Sequence, residues 1–217
     1  TFVLVDITAQ ISSPNKFIGA AAAADGRIVF APHNADGVGV FNPVDSTFEL
    51  VDISGEISSP KKFNGAAAVA ADGRIVFAPH NADGVGVFNP ADDSFQLVAI
   101  AAQITGTTKF NGAAVAADGS VVFAPQDAGG VGVFTLGASS SSFRLVSITA
   151  KIGGLGKFIG AATAADGRIV FAPYDANSVG VFNPVDSTFE LVDISGEISS
   201  PKKFNGAAAV AADGRIV

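Results

Sequence analysis

The chain contains no cysteine, no methionine and no tryptophan, and it has one tyrosine and two histidines in 217 residues. Without cysteine neither a disulfide framework nor a thiolate metal site can form, and redox chemistry does not fix the compartment. Long apolar runs are also missing. Although 48% of the residues are hydrophobic, Asp, Gly, Pro or Asn breaks the apolar stretches every few residues, far short of the roughly 18 that a membrane-crossing segment needs. Membrane insertion is therefore not expected. Positive charge is scarce too, with 13 Lys and Arg against 20 Asp and Glu and a formal charge of −7. Nucleic-acid affinity rests on clustered cations that displace counterions from phosphates, so nucleic acid is not an expected partner. No N-terminal stretch reads as a signal peptide, and localisation stays unassigned.

What the chain has in quantity is phenylalanine, and every one of the 18 keeps a metre. The classes are Phe17, Phe63, Phe110, Phe158 and Phe204; Phe30, Phe77, Phe123 and Phe171; Phe41, Phe88, Phe134 and Phe182; and Phe2, Phe48, Phe95, Phe143 and Phe189, spaced by 46, 47 or 48 residues. A period of that length with several short strand patterns per unit is the signature of a propeller blade, which cannot bury both faces alone. Repeated aromatic residues inside apolar strands read as inter-blade core before they read as stacking platforms.

One unit, Lys62 to Ile100, divides at its turn signals into Phe63–Ala70, Arg74–Pro79, Val85–Asn89 and Ser94–Ile100. Asp72-Gly73 fits a two-residue hairpin that needs positive φ. His80 to Gly84 and Asn89 to Asp93 supply turns rich in residues that bond their own backbone or preset φ. The result is a four-stranded antiparallel meander, with the Gly65-Ala-rich strand innermost where blades crowd the axis. The expected fold is all-β: a single-domain propeller over residues 1–217. Its units are 16–61, 62–108, 109–156 and 157–202, flanked by 1–15 and 203–217. The strand count comes one short of five blades, with the chain ends sharing the last one; the alternative is part of a six- or seven-bladed ring. The unpaired edge of that last blade would recruit a strand from another chain, so self-association is expected there. Residues 38–76 and 179–217 are identical over 39 positions, which marks a recent, homogenised or designed duplication. Residues 137–142, Gly-Ala-Ser-Ser-Ser-Ser, read as a flexible surface loop.

The run from Gly26 to Phe41, GRIVFAPHNADGVGVF, resembles the blade motif of the streptogramin-lyase and NHL-type propellers, and Gly19, Gly65, Gly112, Gly160 and Gly206 stand where those blades carry an inner-strand Gly. The resemblance implies a propeller. It also implies where lyase chemistry would sit: a His before the inner Gly and a Glu closing the second strand. Those positions hold Ile18, Asn64, Asn111, Ile159 and Asn205, and Pro32, Pro79, Pro125 and Pro173. Proline has no acid, base or ligand atom, so no catalytic residue is assigned, and neither a metal nor a cofactor is expected.

Blade geometry collects one set of polar residues on a single face, because the loop between strands two and three and the loop joining blades emerge together. That set is His33, Asn34, His80, Asn81, Asp83, Gln126, Asp127, Tyr174, Asp175 and Asn177, with Lys61 and Lys62 nearby. Taken singly, the histidines read as polar turn residues, the Asn-x-Asp-Gly runs as side-chain-to-backbone turns, and the Lys-Lys pair as a solvated mixed-charge face. Taken together they are the tentative ligand-binding set. The expected function is a non-catalytic binding or scaffold module, lectin-like in its use of equivalent inter-blade sites, with carbohydrate or protein as partner. The alternatives are a designed or consensus propeller with no ligand and a metal-dependent lyase.

Overall fold

A computed structural model describes residues 4–65, 68–69, 72–137, 140–206 and 216. They contain four antiparallel sheets of four strands each and no helix. The first blade is β1 (Phe17–Ala22), β2 (Ile28–Pro32), β3 (Gly37–Asn42) and β4 (Thr47–Asp52). The second is β5 (Ala68–Val69), β6 (Ile75–Phe77), β7 (Gly84–Asn89) and β8 (Ser94–Ala99). The third is β9 (Phe110–Val115), β10 (Val121–Pro125), β11 (Gly130–Thr135) and β12 (Ser142–Ser147), and the fourth β13 (Phe158–Thr163), β14 (Ile169–Pro173), β15 (Ser178–Asn183) and β16 (Thr188–Asp193). Strand order follows the chain in every sheet, which is the meander of a β-propeller.

The hairpin turns are local chemistry. In the Asp-Gly hairpins ending at Gly26, Gly73, Gly119 and Gly167 the glycine takes positive φ, and the Asp carboxylate accepts the amide of the residue two further on, as Asp25 does from Arg27 and Asp72 from Arg74. At the outer turns Asn42 and Asp45 accept from Val44 and Thr47 in the same way. Accepting from the hydroxyl of the Thr or Ser two residues on, and from its amide, holds the turn carboxyls of Asp45, Asp92 and Asp186 below the usual carboxylate range.

Neighbouring blades meet through two unlike walls. One side of each blade offers small and branched residues, and the facing blade offers phenylalanines. Val29, Ala31, Val38 and Val40 of the first blade cluster with Phe63, Phe77 and Phe88 of the second. Val76, Ala78, Val85 and Val87 of the second cluster with Phe110, Phe123 and Phe134 of the third. Val122, Ala124, Val131 and Val133 of the third cluster with Phe158, Phe171 and Phe182 of the fourth. Each fully buried Phe is worth about 1.5–3 kcal/mol, so stability is concentrated between blades rather than within them. The small residues of strand three have a matching reason: a Cβ on Gly86 would lie 2.7 Å from the Phe63 ring, and one on Gly132 2.9 Å from that of Phe110.

The inner strands approach closely enough to exclude side chains. Gly112 and Gly160 adopt φ of 97° and 90°, and a Cβ on Gly112 would stand 2.7 Å from the Cα of Gly160. The inner-strand register shifts at this glycine in the first, third and fourth blades. The expected strand Phe63–Ala70 is present as β5 with a bridge from Phe63 to Pro79; residues 66, 67 and 70 lie outside the described set. Closure by the strands near the chain ends, expected for 1–7 and 203–217, falls largely on residues 1–3, 207–215 and 217, also outside it, as does part of the serine loop at 138–139.

Replacing Gly112 with Ala is expected to cost about 2–4 kcal/mol, from positive φ and overpacking together. Gly26→Ala, at φ 87° but with nothing within 4 Å of its Cβ, should cost only about 1–2 kcal/mol. Denaturant melts of the two variants make the comparison.

Candidate functional site

The inner segments converge on a central cavity of about 420 Å³ lined by Ile18, Gly19, Asn64, Gly65, Asn111, Ile159, Gly160, Asn205 and Gly206. Five repeat units contribute to this one wall. The residue preceding each inner glycine therefore faces the axis, and the wall carries three carboxamides and two isoleucines.

Above this wall lies the turn class of His33, His80, Gln126 and Tyr174. Two contacts tie that class to the cavity. Gln126 Oε1 accepts from Asn111 Nδ2 at 3.2 Å, and His33 Nδ1 is 3.0 Å from the carbonyl of Phe63, the residue next to Asn64. His33 and His80 are buried, and their rings meet edge to face with centroids 5.8 Å apart. His80 Nδ1 is a buried polar atom with no hydrogen-bond partner. Desolvation lowers the pKa of both imidazoles; for His80, with the His33 charge adding to it, the value falls to about 4.

The remaining polar residues of this face hold blades together. Asn34 Oδ1 accepts the Lys61 amide at 3.1 Å, Asn81 the Thr108 amide at 2.9 Å, Asp127 the Gly156 amide at 2.7 Å and Asp175 the Lys202 amide at 3.0 Å. Each bond joins one blade's turn to the loop entering the next. The donor residues all have positive φ, between 55° and 64°. Asn34 and Asn81 thus depart from the local turns expected of their Asn-x-Asp-Gly runs: like Asp127 and Asp175, they reach to the neighbouring unit. Asn177 and Lys61 are exposed, Tyr174 is half-buried, and Asp83 lies 3.8 Å from Lys109 Nζ.

Lys62 corrects the sequence expectation of a solvated charge. It is fully buried, and its Nζ donates to the Ala35 carbonyl at 2.9 Å and to Asp36 at 3.4 Å. The same position in later blades is equally buried: Lys109 Nζ donates to the carbonyls of Gly106 and Asn81, and Lys157 Nζ to that of Gly154 at 2.9 Å. Burial lowers the pKa of Lys109 and Lys157. The backbone of this lysine is also the hub of the inter-blade bonding. The Lys62 amide donates to His33 O, and its carbonyl accepts from His80 and Ala82; Lys109 and Lys157 repeat the scheme. Sequence reasoning missed this class, although Lys16, Lys62, Lys109, Lys157 and Lys203 stand before Phe in all five units.

Among the described residues no three His, Cys, Asp or Glu side chains gather as a metal site would require. No protein-family model matches the sequence, and no curated protein matches it. Solved structures do. Virginiamycin B lyase from Staphylococcus aureus, in a catalytically inactive form with quinupristin, superposes with a TM-score of 0.68 at 14% identity, over 91% of this chain and 61% of that one. Its fold is the one this chain adopts. The extracellular domain of a candidate hybrid two-component system from Bacteroides thetaiotaomicron gives 0.68 at 14% identity, over 92% of this chain and 26% of that one. A candidate gluconolactonase gives 0.61 at 16%, over 94% and 71%. Enzymes and extracellular domains thus share this architecture, and at such identities the likeness concerns the fold alone.

The histidines set a pH dependence. His80 titrates near 4 when folded and near 6.5 when unfolded, so between those values the unfolded chain holds a proton that the folded chain refuses. Stability is full above about pH 6.5 and is expected to fall by about 3 kcal/mol as pH drops to 4. His80→Gln, which installs the amide found at Gln126, should remove most of that loss in urea melts run at a series of pH values.

Proposed function

We propose that this chain is a non-catalytic binding module whose site is the axial cavity and its mouth, and that its ligand is a small polar molecule of the carbohydrate class. The observation that carries the reading is the cavity wall: Asn64, Asn111 and Asn205 present amides beside Ile18 and Ile159 in one space of about 420 Å³. Pockets of that size with a few polar groups among apolar ones suit small ligands, and carboxamides both donate to and accept from hydroxyls. His33, His80, Gln126 and Tyr174 form the mouth. Lys61, Asn34, Asn81, Asp83, Asp127, Asp175 and Asn177 frame the same face. Lys62 acts beneath it as support.

Two observations weigh against the lyase reading that some of its structural neighbours invite. The inner position holds Ile or Asn and the second-strand position Pro, and neither set supplies an acid or base at the places where the lyases carry theirs. A consensus scaffold without ligand is the other reading, favoured by the identity of 38–76 and 179–217.

A glycan array followed by calorimetry separates these readings. The proposal expects a glycan whose affinity falls at least about tenfold, the value of one or two hydrogen bonds, in an Asn64→Ala, Asn205→Ala double variant with an unchanged melting temperature. A silent array argues for the scaffold. A divalent-metal shift in Tm above roughly 5 °C, well beyond weak surface binding, argues for the enzyme.

A further inference from the structure

The hexapeptide Lys-Phe-Asn-Gly-Ala-Ala occurs at residues 62–67, 109–114 and 203–208, and its asparagine lines the axial cavity each time, as Asn64, Asn111 and Asn205. Each of these asparagines precedes a glycine. That order lets the backbone nitrogen of the second residue reach the side-chain carboxamide of the first, because glycine brings no Cβ to block the approach and tolerates the backbone turn it requires. Between copies of one hexapeptide, a difference in this reaction comes from the fold.

The fold treats the first two copies differently. Asn111 is buried, its Nδ2 donates to Gln126 Oε1 at 3.2 Å, and the Gly112 amide donates to the Asn64 carbonyl at 3.1 Å. Both groups that would have to react are therefore engaged, and both lie within β9. Asn64 and Gly65 are half-buried instead. The Asn64 backbone is held through its carbonyl and through its amide, which donates to Ala78 O at 3.2 Å, but among the described residues neither the Asn64 carboxamide nor the Gly65 amide has a hydrogen-bond partner. Gly65 and Gly112 have nearly the same φ, 95° and 97°, so bonding and burial separate the two sites.

We infer that Asn64 is a site of spontaneous covalent modification, its carboxamide converting to a carboxylate through a cyclic imide with Gly65, and that Asn111 in the same sequence is protected. The Gly65 nitrogen gives its proton to solvent base and attacks Asn64 Cγ. The new C–N bond closes a five-membered succinimide, the Cγ–Nδ2 bond breaks, and Nδ2 leaves as ammonia after taking a proton from water. A second water then adds to either ring carbonyl and opens the ring, giving aspartate or isoaspartate. Water is the only co-reactant, and the reaction depends on no ligand. Its product puts a negative charge into a cavity wall of amides, isoleucines and glycines. The isoaspartate form also lengthens the main chain by one atom directly after Lys62-Phe63.

The test follows the full chain, folded and in concentrated urea, in the same mildly alkaline buffer, with samples cut over time by an arginine-specific protease. Peptides 28–74 and 75–144 carry Asn64 and Asn111 separately, and 28–74 differs from its near-duplicate 169–215 by His33 against Tyr174. Mass spectrometry reads the amide-to-acid mass gain, and an isoaspartate-specific methyltransferase reads the branched product. In the folded chain Asn64 is expected to convert at least about tenfold faster than Asn111, the ratio set by roughly one further hydrogen bond that must open first. In urea the two should convert at the same rate. Equal rates in the folded chain, a difference that persists in urea, or an Asn64 that converts in urea but stays intact in the folded chain would each overturn the assignment.

Discussion

The structure depends on the junction at which each inner strand begins. A buried lysine and the phenylalanine after it carry that junction, as at Lys62-Phe63. The lysine's amide and carbonyl stitch two turns of the preceding and same blade, and its ammonium ends on turn carbonyls. The phenylalanine fills the space against the preceding blade's valines and alanines. Burying an ammonium costs several kcal/mol unless its protons are satisfied, so the carbonyls of Ala35, or of Asn81 and Gly106, are as much a part of the junction as the lysine. No blade can supply both halves of this arrangement, which is why the unit of stability is the pair of blades.

This assembly chemistry also determines which polar groups remain for a ligand. On the loop face, Asn34, Asn81, Asp127 and Asp175 each spend a side-chain oxygen on the next blade's entering loop. Closer to the axis the amides of Asn64 and Asn205 and the unpartnered Nδ1 of His80 are not so committed. Among the described residues, the polar side-chain groups left uncommitted therefore lie toward the axis, while those of the rim join one blade to the next.

Much of the architecture could be read from the residues. Period, strand number per unit, Asp-Gly hairpins and the inner placement of Gly and Ala are set by local sequence, and local sequence displays them. The lysine class was misread because a charge run is judged by its neighbours in sequence, whereas Lys62 finds its partners 26 and 27 residues away at Asp36 and Ala35. The asparagines misled for a similar reason. An Asn two residues before an Asp-Gly pair looks like a self-contained turn, and nothing local reveals that Asn81 accepts from Thr108. The cavity wall was legible only as five positions of missing chemistry; that they face a common space is a property of the ring.

Native-state hydrogen exchange tests the central claim most directly. If the lysine junction organises the ring, the amides of Lys62, Lys109 and Lys157 exchange only through the largest opening of the molecule, more slowly than those of the outer strands β4, β8, β12 and β16. Exchange at these three amides as fast as at the outer strands would contradict it, because the blades would then separate without breaking the bonds said to join them.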